Sequence, residues 1–503
     1  MRKIKLFGLG LVLLFAACTK DFEEINTSPN NPPKASTAFL LTSAQKYICD
    51  NTYDEWFSGR FGMQMAQYWA SNSYTDESRY TTSALRSRIA DPYWRLHYNT
   101  GLQDLQTILA TIEKSPAEAE FNGDLNNQKA VALILQTFAF QIITDTWGMV
   151  PYTEALKGQA VAYPRYDDQR TIYMGMLETL NTAISLIRES NAGPKGDQVY
   201  YGDMSQWKKF ANSLKMRVAI RMADKEDATA KAAIEQAYQS GVILSNADNA
   251  AFHYLGALPN ANPIYEDYLT RKDFASSSTM VDTLLGLNDP RVGYFYAPAV
   301  ANGQFIGERY GMTDGQAAVT TLADVSQRSA LILEPDFPAM LFDAAESSFI
   351  LAEAMERWPT LSLGGDAKTH YANGITASME FWSGGSLSST QIGNYIAQPG
   401  VDYDALKTAG STWKQIIGVQ KWIALYNQGV QGWSEWRRLD FGVLRKPAGS
   451  STFSNPAIDP KDVVPLRLIY PSEESTLNGN NFSAAVTAQG PNNFRTRLWW
   501  DAQ

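Results

Sequence analysis

Cysteine and histidine are nearly missing: the 503 residues hold 2 of the first and 3 of the second. So few thiols exclude a disulfide framework, and stability must come from packing. His97, His253 and His370 are never four residues from one another and none adjoins a cysteine, so no zinc site is expected. Positive charge is also short, with 43 Lys and Arg against 52 Asp and Glu and a net charge of −9. An acidic surface repels polyanions, which argues against nucleic acid and against a basic membrane-binding patch. The sequence has no glycine-rich phosphate loop after a strand pattern, no G-x-S-x-G elbow and no kinase or Walker signature. Catalysis is therefore unsupported, and the chain is expected not to be an enzyme. Ser245 to Phe252, "SNADNAAF", is too weak for a calcium loop. No cofactor is expected, and an isolated calcium ion held by oxygens distant in sequence is the one exception left open. Beyond Leu6 to Phe15, no second apolar segment is expected to be long enough to span a bilayer.

What is present begins at the N-terminus. Arg2, Lys3 and Lys5 precede the apolar run Leu6 to Phe15, which small Ala16 and Ala17 close before Cys18. This is the layout of a secretory signal, and the run is shorter than the ~20 residues of a spanning helix. Leu14-Phe15-Ala16-Ala17-Cys18 resembles a bacterial lipobox, with Phe15 in place of the usual leucine. The resemblance implies a signal peptide over 1–17, removed before an acylated Cys18 that anchors the chain in a membrane. With Cys18 acylated, Cys49 has no partner for an intramolecular disulfide. Residues 18–35 carry Lys20, Asp21, Glu23 and Glu24 and then an Asn- and Pro-rich run, too polar to fold alone, and read as a flexible tether. The acidic cluster resembles the surface-export signal of Bacteroidetes lipoproteins, although a solvated linker would use the same residues.

The 503-residue sequence is 45% hydrophobic, and the remaining chain, 36–503, can bury a large core. Trp94, Tyr98, Leu102, Leu105, Leu109 and Ile112 recur at helical spacing, and Val131, Ile134, Phe138 and Ile142 repeat the pattern within Asn127 to Trp147. Gly148 and Pro151 end that second helix. Helices are likewise expected over 171–189, 205–225, 228–240, 337–357, 367–382 and 412–428. Amphipathic helices in pairs suggest a tetratricopeptide-like superhelical stack, so the fold class is mainly α. Between about 248 and 335 the period fades and Gly, Pro, Asn and Tyr dominate, which marks a loop-rich lobe. An irregular C-terminal region is expected after 428.

Several ordered stretches resemble the SusD/RagB family, in its SusD-like branch of outer-membrane nutrient-binding lipoproteins. They include "DFEEINTSPNNP", "TDTWGMVPYTEAL", "WKKFANSLKMRVAIR", "DPRVGYF", "VQKWIALYNQG", "WSEWRRLDF" and "RLIYPSEESTLN". The resemblance implies a helical, tetratricopeptide-like protein on the cell surface, anchored to the outer membrane. It also implies a SusC-like TonB-dependent transporter as partner, to which a captured oligosaccharide or peptide is delivered. A scaffold that binds no ligand is the alternative from another class.

No ligand-site motif transfers residue by residue. A sugar presents an apolar C–H face edged by hydroxyls and suits a flat aromatic platform flanked by amides or charges. Three irregular stretches have that mixture: Trp69, Asn72, Tyr74 and Tyr80; Tyr254, Asn260, Asn262 and Tyr265; and Asn302, Phe305, Arg309 and Tyr310. Core packing competes for all of them, since the chain carries 13 Trp, 25 Tyr and 22 Phe. Asp343, Glu346 and Glu353 fall near one helical stripe, but burial between alanines favours an ion pair of Glu353 with Arg437 or Arg438 over acid–base work.

Overall fold

A computed structural model describes residues 35–449 and 463–501. The signal peptide, Cys18 and all of the tether but Ala35 lie outside the described residues.

The helices that the periodicity predicts are present and pack in consecutive pairs. Helix α1 (Thr37–Tyr53) lies on α3 (Gly101–Lys114), which α2 (Asp91–Asn99) precedes. The chain breaks between α2 and α3 at Thr100, which leaves helical geometry at φ −109° and ψ −107°, and the next residue, Gly101, lies against the Ile48 side chain, where a Cβ would not fit. Helix α4 (Leu125–Trp147) packs on α3 and on α5 (Gln169–Leu186), and α6 (Met204–Arg221) packs on α5 and on α7 (Asp227–Ser240). Helices α8 (Ala344–Arg357), α9 (Ala367–Ser383), α10 (Trp413–Ala424) and α11 (Gly429–Leu439) continue the stack. Asp124, Asp168, Asp203 and Asp343 cap α4, α5, α6 and α8 through their carboxylates, which is why these helices start where they do.

Four expectations need correction. Helix α4, with 23 residues, is long and apolar enough to cross a membrane, contrary to the reading of no second such segment, and it is instead the almost wholly buried core helix of the stack. The helix expected from 337 starts at Ala344, because Ala339–Phe342 form a strand. The helix expected over 412–428 ends at Ala424, and the region after it contains the buried helix α11. A further helix, Gly479–Gln489, lies near the C-terminus, in a region expected to be irregular.

The loop-rich lobe holds short helices, among them Pro263–Tyr268 and Ser278–Gly286, and is tied to the stack by short antiparallel pairs. Strand β1 (Trp69–Ser71) pairs with β3 (Phe274–Ser276) in the register Trp69↔Ser276, and β2 (Ala250–Phe252) pairs with β4 (Ala339–Phe342). The first pairing joins segments some 200 residues apart and the second some 90, and the first positions the candidate site.

Charge as well as apolar surface fills the centre of the stack. Arg217 of α6 grips Glu346 of α8 through Nε–Oε1 at 2.7 Å and Nη2–Oε2 at 2.5 Å. Arg438 binds both oxygens of Glu353, with Nη2–Oε2 at 2.6 Å, while Arg437 lies over Trp433 and donates to the Asp145 and Leu466 carbonyls. The ion pair expected for Glu353 thus goes to Arg438. Asp343, the third carboxylate of that stripe, accepts from Glu346 N at 2.7 Å and Gln428 Nε2 at 2.9 Å. All three acids are held in structural bonds.

Candidate functional site

Tyr53 is followed by Asp54, whose carboxylate accepts from Phe57 N at 2.7 Å and Ser58 N at 3.3 Å and so starts a wide helical turn, Glu55–Gly62. That turn presents Trp56 outward and Arg60 inward. Strand β1 then leads into a turn in which Tyr74 adopts φ +55°, a left-handed conformation that costs a tyrosine free energy. The pairing of β1 with β3 carries Arg271 and Asp273 to the same place. Asn72 N and Ser73 N both donate to the Asp273 carbonyl, at 2.9 and 3.1 Å.

Three arginines and two exposed rings converge there. The Arg60 guanidinium lies 4.3 Å from the Trp56 ring centre and 4.8 Å from that of Tyr74. Arg271 lies over both rings at 5.8 and 5.3 Å and donates to the Tyr74 hydroxyl at 2.9 Å, and Arg88 lies 5.0 Å from Tyr74. The rings remain 41% and 43% exposed although each is braced by cations. The cations are neutralised from beneath: Arg60 by Glu77 and by Asp273 at 3.4 Å, Arg271 by Asp273 at 2.8 Å, and Arg88 by Asp76 at 3.0 Å and Glu77 at 2.9 Å. The bonds to Tyr74 and Asp273 raise the pKa of Arg271, and burial pushes up Glu77 and Asp267. Burial also drives Glu55 up to about 7 against the opposing charge of Arg328. The result is a rigid, exposed, charge-balanced aromatic surface. It can offer ring faces to a neutral, partly apolar ligand and guanidinium donors to its oxygens.

Of the residues singled out by sequence, Tyr74 is on this surface and Asn72 adjoins it. Asn72 is half-buried, and its amide donates to Glu308 Oε1 at 2.8 Å and to the Thr320 carbonyl at 3.3 Å. Trp69, Tyr80, Tyr254, Asn262 and Tyr310 are interior instead. Trp69 stacks near Phe274 and donates to the Tyr426 hydroxyl at 3.1 Å; Tyr80 and Tyr310 face each other with ring centres 6.0 Å apart. Tyr254 donates to Asp50 at 3.0 Å, and Asn262 caps the helix Pro263–Tyr268. Phe305 and Tyr265 are half-buried, while Asn260, Asn302 and Arg309 are exposed in loops. None of these five touches Trp56 or Tyr74 through a ring, ion-pair or hydrogen-bond contact.

Trp56, Arg60, Arg88 and Arg271 are the members that sequence reasoning missed. The signal available was Trp56 four residues before Arg60, the spacing that stacks a cation on a ring within one helix. Among the described residues, no three His, Cys, Asp or Glu side chains gather as a metal ion would require.

A family model described as starch-binding and associating with the outer membrane matches residues 29–471. No curated protein matches the chain. Among solved structures, a chitin-binding protein superimposes with TM-score 0.77 at 26% identity, covering 93% of this chain and 100% of its own. A SusD homolog from Bacteroides uniformis gives 0.76 at 25%, covering 92% and 100%. A chitin-binding SusD homolog from Flavobacterium johnsoniae gives 0.75 at 24%, covering 92% and 99%, a likeness of fold.

Proposed function

The chain belongs to the SusD-like family, and from that premise we propose that it is a non-enzymatic lipoprotein of the outer membrane that binds oligosaccharides. On this reading Cys18 carries the lipid, the protein faces the outside of the cell, and the captured glycan passes to a SusC-like TonB-dependent transporter. The observation that carries the ligand class is the pair of exposed rings, Trp56 and Tyr74, fixed by Arg60 and Arg271. A ring immobilised before the ligand arrives loses little side-chain freedom on binding, so more of the stacking energy is kept as affinity. The positive φ of Tyr74 supports the reading, because strain of this kind is tolerated where it serves a site. The chitin-binding protein that superimposes at 26% identity supports an oligosaccharide over a peptide.

Isothermal titration with maltoheptaose and chitohexaose tests the proposal. A stacked ring adds about 1 kcal/mol beyond its buried area, so Trp56→Ala or Tyr74→Ala should weaken binding about fivefold each. Unchanged affinity in both variants removes this surface from the account. Tight binding of peptides with none of glycans overturns the ligand class.

A further inference from the structure

The most exposed aromatic rings among the described residues are Phe121 at 78%, Phe39 at 74%, and Tyr163 and Tyr201 at 69%. Three of the four, Phe39, Phe121 and Tyr201, sit at one end of the stack, where α1 and α4 begin and α3 finishes. The Thr37 hydroxyl donates to Gln128 Oε1 at 2.6 Å and joins the starts of α1 and α4. Residues 193–202 tie in the rest. The Thr42 hydroxyl donates to the Gly196 carbonyl at 2.7 Å, Lys195 N donates to the Asn122 carbonyl at 2.8 Å, and Gly193 lies so close to Gly202 that a Cβ would strike its carbonyl. Tyr201 holds its exposed ring there at φ +52°, a conformation that costs a tyrosine free energy. Exposed apolar rings gathered on one face mark a surface that something covers.

The path of the chain identifies the cover. Ala35, the first described residue, is at this same end, across a groove from Ser115 and Glu118, and Phe39 is in the first turn of the helix that follows it. Cys18 is 17 residues before Ala35, a link of at most about 60 Å when fully extended. With lipid on Cys18, a bilayer is always within reach of this end, and its effective concentration is high enough for a few rings to make a seat. Charge gives no pull toward anionic lipid, because Glu113, Glu118 and Glu120 are exposed beside Lys114 and Lys195. Aromatic rings favour the headgroup level of a zwitterionic bilayer without such help.

We propose that this end is a membrane seat, in which Phe39, Phe121 and Tyr201 enter the headgroup region of the bilayer that holds Cys18. The inference rests on the reading of the chain as a lipoprotein and makes no use of its ligand. Helix α1 separates the seat from the candidate site, since Phe39 is in its first turn and Trp56 follows its last residue by three. The 17 residues of that helix span about 25 Å. Seating therefore leaves Trp56 and Tyr74 uncovered.

The test uses the full-length lipoprotein in phosphatidylcholine vesicles, with acylation of Cys18 verified by mass spectrometry. Cys49 is buried, so Phe121→Cys takes a single environment-sensitive fluorophore. The comparison position is Tyr163→Cys, between Ala162 and Pro164, which share a cleft with Gln103 at the opposite end of α3. Lipids spin-labelled just below the headgroup should quench the fluorophore at 121 about twofold or more beyond that at 163. Adding Phe39→Ser and Tyr201→Ser, both at exposed positions, should cut the quenching at 121 by about half or more, with the circular dichroism spectrum unchanged. Equal quenching at 121 and 163, or quenching at 121 indifferent to loss of the other two rings, overturns the seat. Self-quenching at 121 that rises with protein density, with no effect of the spin labels, also overturns it and assigns the rings to a second copy of the chain. A bare thiol at Cys18 overturns the lipoprotein reading and the seat with it, whereas an acylated chain unquenched at 121 overturns the seat alone.

Discussion

Glu435 accepts three cations at once: Arg221 Nη2 at 3.0 Å, Lys421 Nζ at 3.0 Å and Arg438 Nη2 at 2.5 Å, with all four side chains buried. Burial alone would raise its carboxyl pKa, but Arg438, Lys421 and Arg221 outweigh burial and hold it well below the ordinary range. Such a cluster is expensive to desolvate and more expensive to unbalance. Glu435→Gln keeps the shape and removes the charge, so it should cost about 3–5 kcal/mol, the penalty of a buried charge left unpaired. Thermal unfolding followed by circular dichroism checks this, and a midpoint unchanged from wild type would show that the cations are answered elsewhere. The same cluster marks how far single residues are legible. That Glu353 needs a cation follows from its place between alanines, but Arg437 and Arg438 are adjacent on one helix and point some 100° apart. Only the docking of α11 decides that Arg438 faces α8. Trp56 and Trp69 pose the same problem: sequence reasoning singles out Trp69 and passes over Trp56, and only the fold puts Trp69 inside and Trp56 outside.

Helix α11 shows why one element escaped the periodic reading. Its first four residues include Gly429 and Gly432, which weaken any helical expectation. Both glycines are required by close approach: a Cβ at 429 would fall on the Gly62 carbonyl carbon and the Met63 nitrogen, and one at 432 on the Tyr68 hydroxyl. The wide turn that carries Trp56 thus rests backbone to backbone on α11. Gly429→Ala should lower stability by about 1–3 kcal/mol or more, because main chain cannot yield as a side chain can. Gly479→Ala, at the first turn of Gly479–Gln489 with open space around it, should be neutral or slightly stabilising. Urea unfolding of both variants separates crowding from a general intolerance of alanine. The three-residue strands β1 and β3 were illegible for a different reason, since alternation needs at least four residues to register.

Glu353 and Glu435 of the stack are held differently from Glu308 and Glu55 at the lobe boundary, and the difference makes the contributions of the two pairs to stability depend on pH in opposite senses. In the stack Glu353 and Glu435 have lowered pKa values, because arginine and lysine charges overcome burial. Their contribution is present above the unfolded carboxylate range, near 4.3, and is lost as pH falls through their folded values. At the lobe boundary burial dominates: Glu308 is pushed up to about 7 with only the Asn72 hydrogen bond opposing it, and Glu55 also rises to about 7. A raised acid keeps its proton in the folded chain after the unfolded chain has released it. Its contribution is therefore full below pH ~4.3 and is lost as pH rises through about 7. Glu308 also ties the lobe to the site, since its backbone N–H donates to Ser276 of β3 while its carboxylate holds Asn72 beside β1. The pairing that makes this junction spans some 200 residues and left no trace in local pattern, whereas the amphipathic helices on either side did. The expected outcome is a urea midpoint that declines from pH 5 to pH 8. Glu308→Gln retains an oxygen to accept from Asn72 but cannot titrate, so its decline over that interval should be shallower. Hydrogen exchange should place the lost protection in β1, β3 and the 302–310 loop rather than in α4 or α8, and parallel wild-type and variant slopes would show that Glu308 is not the group responsible.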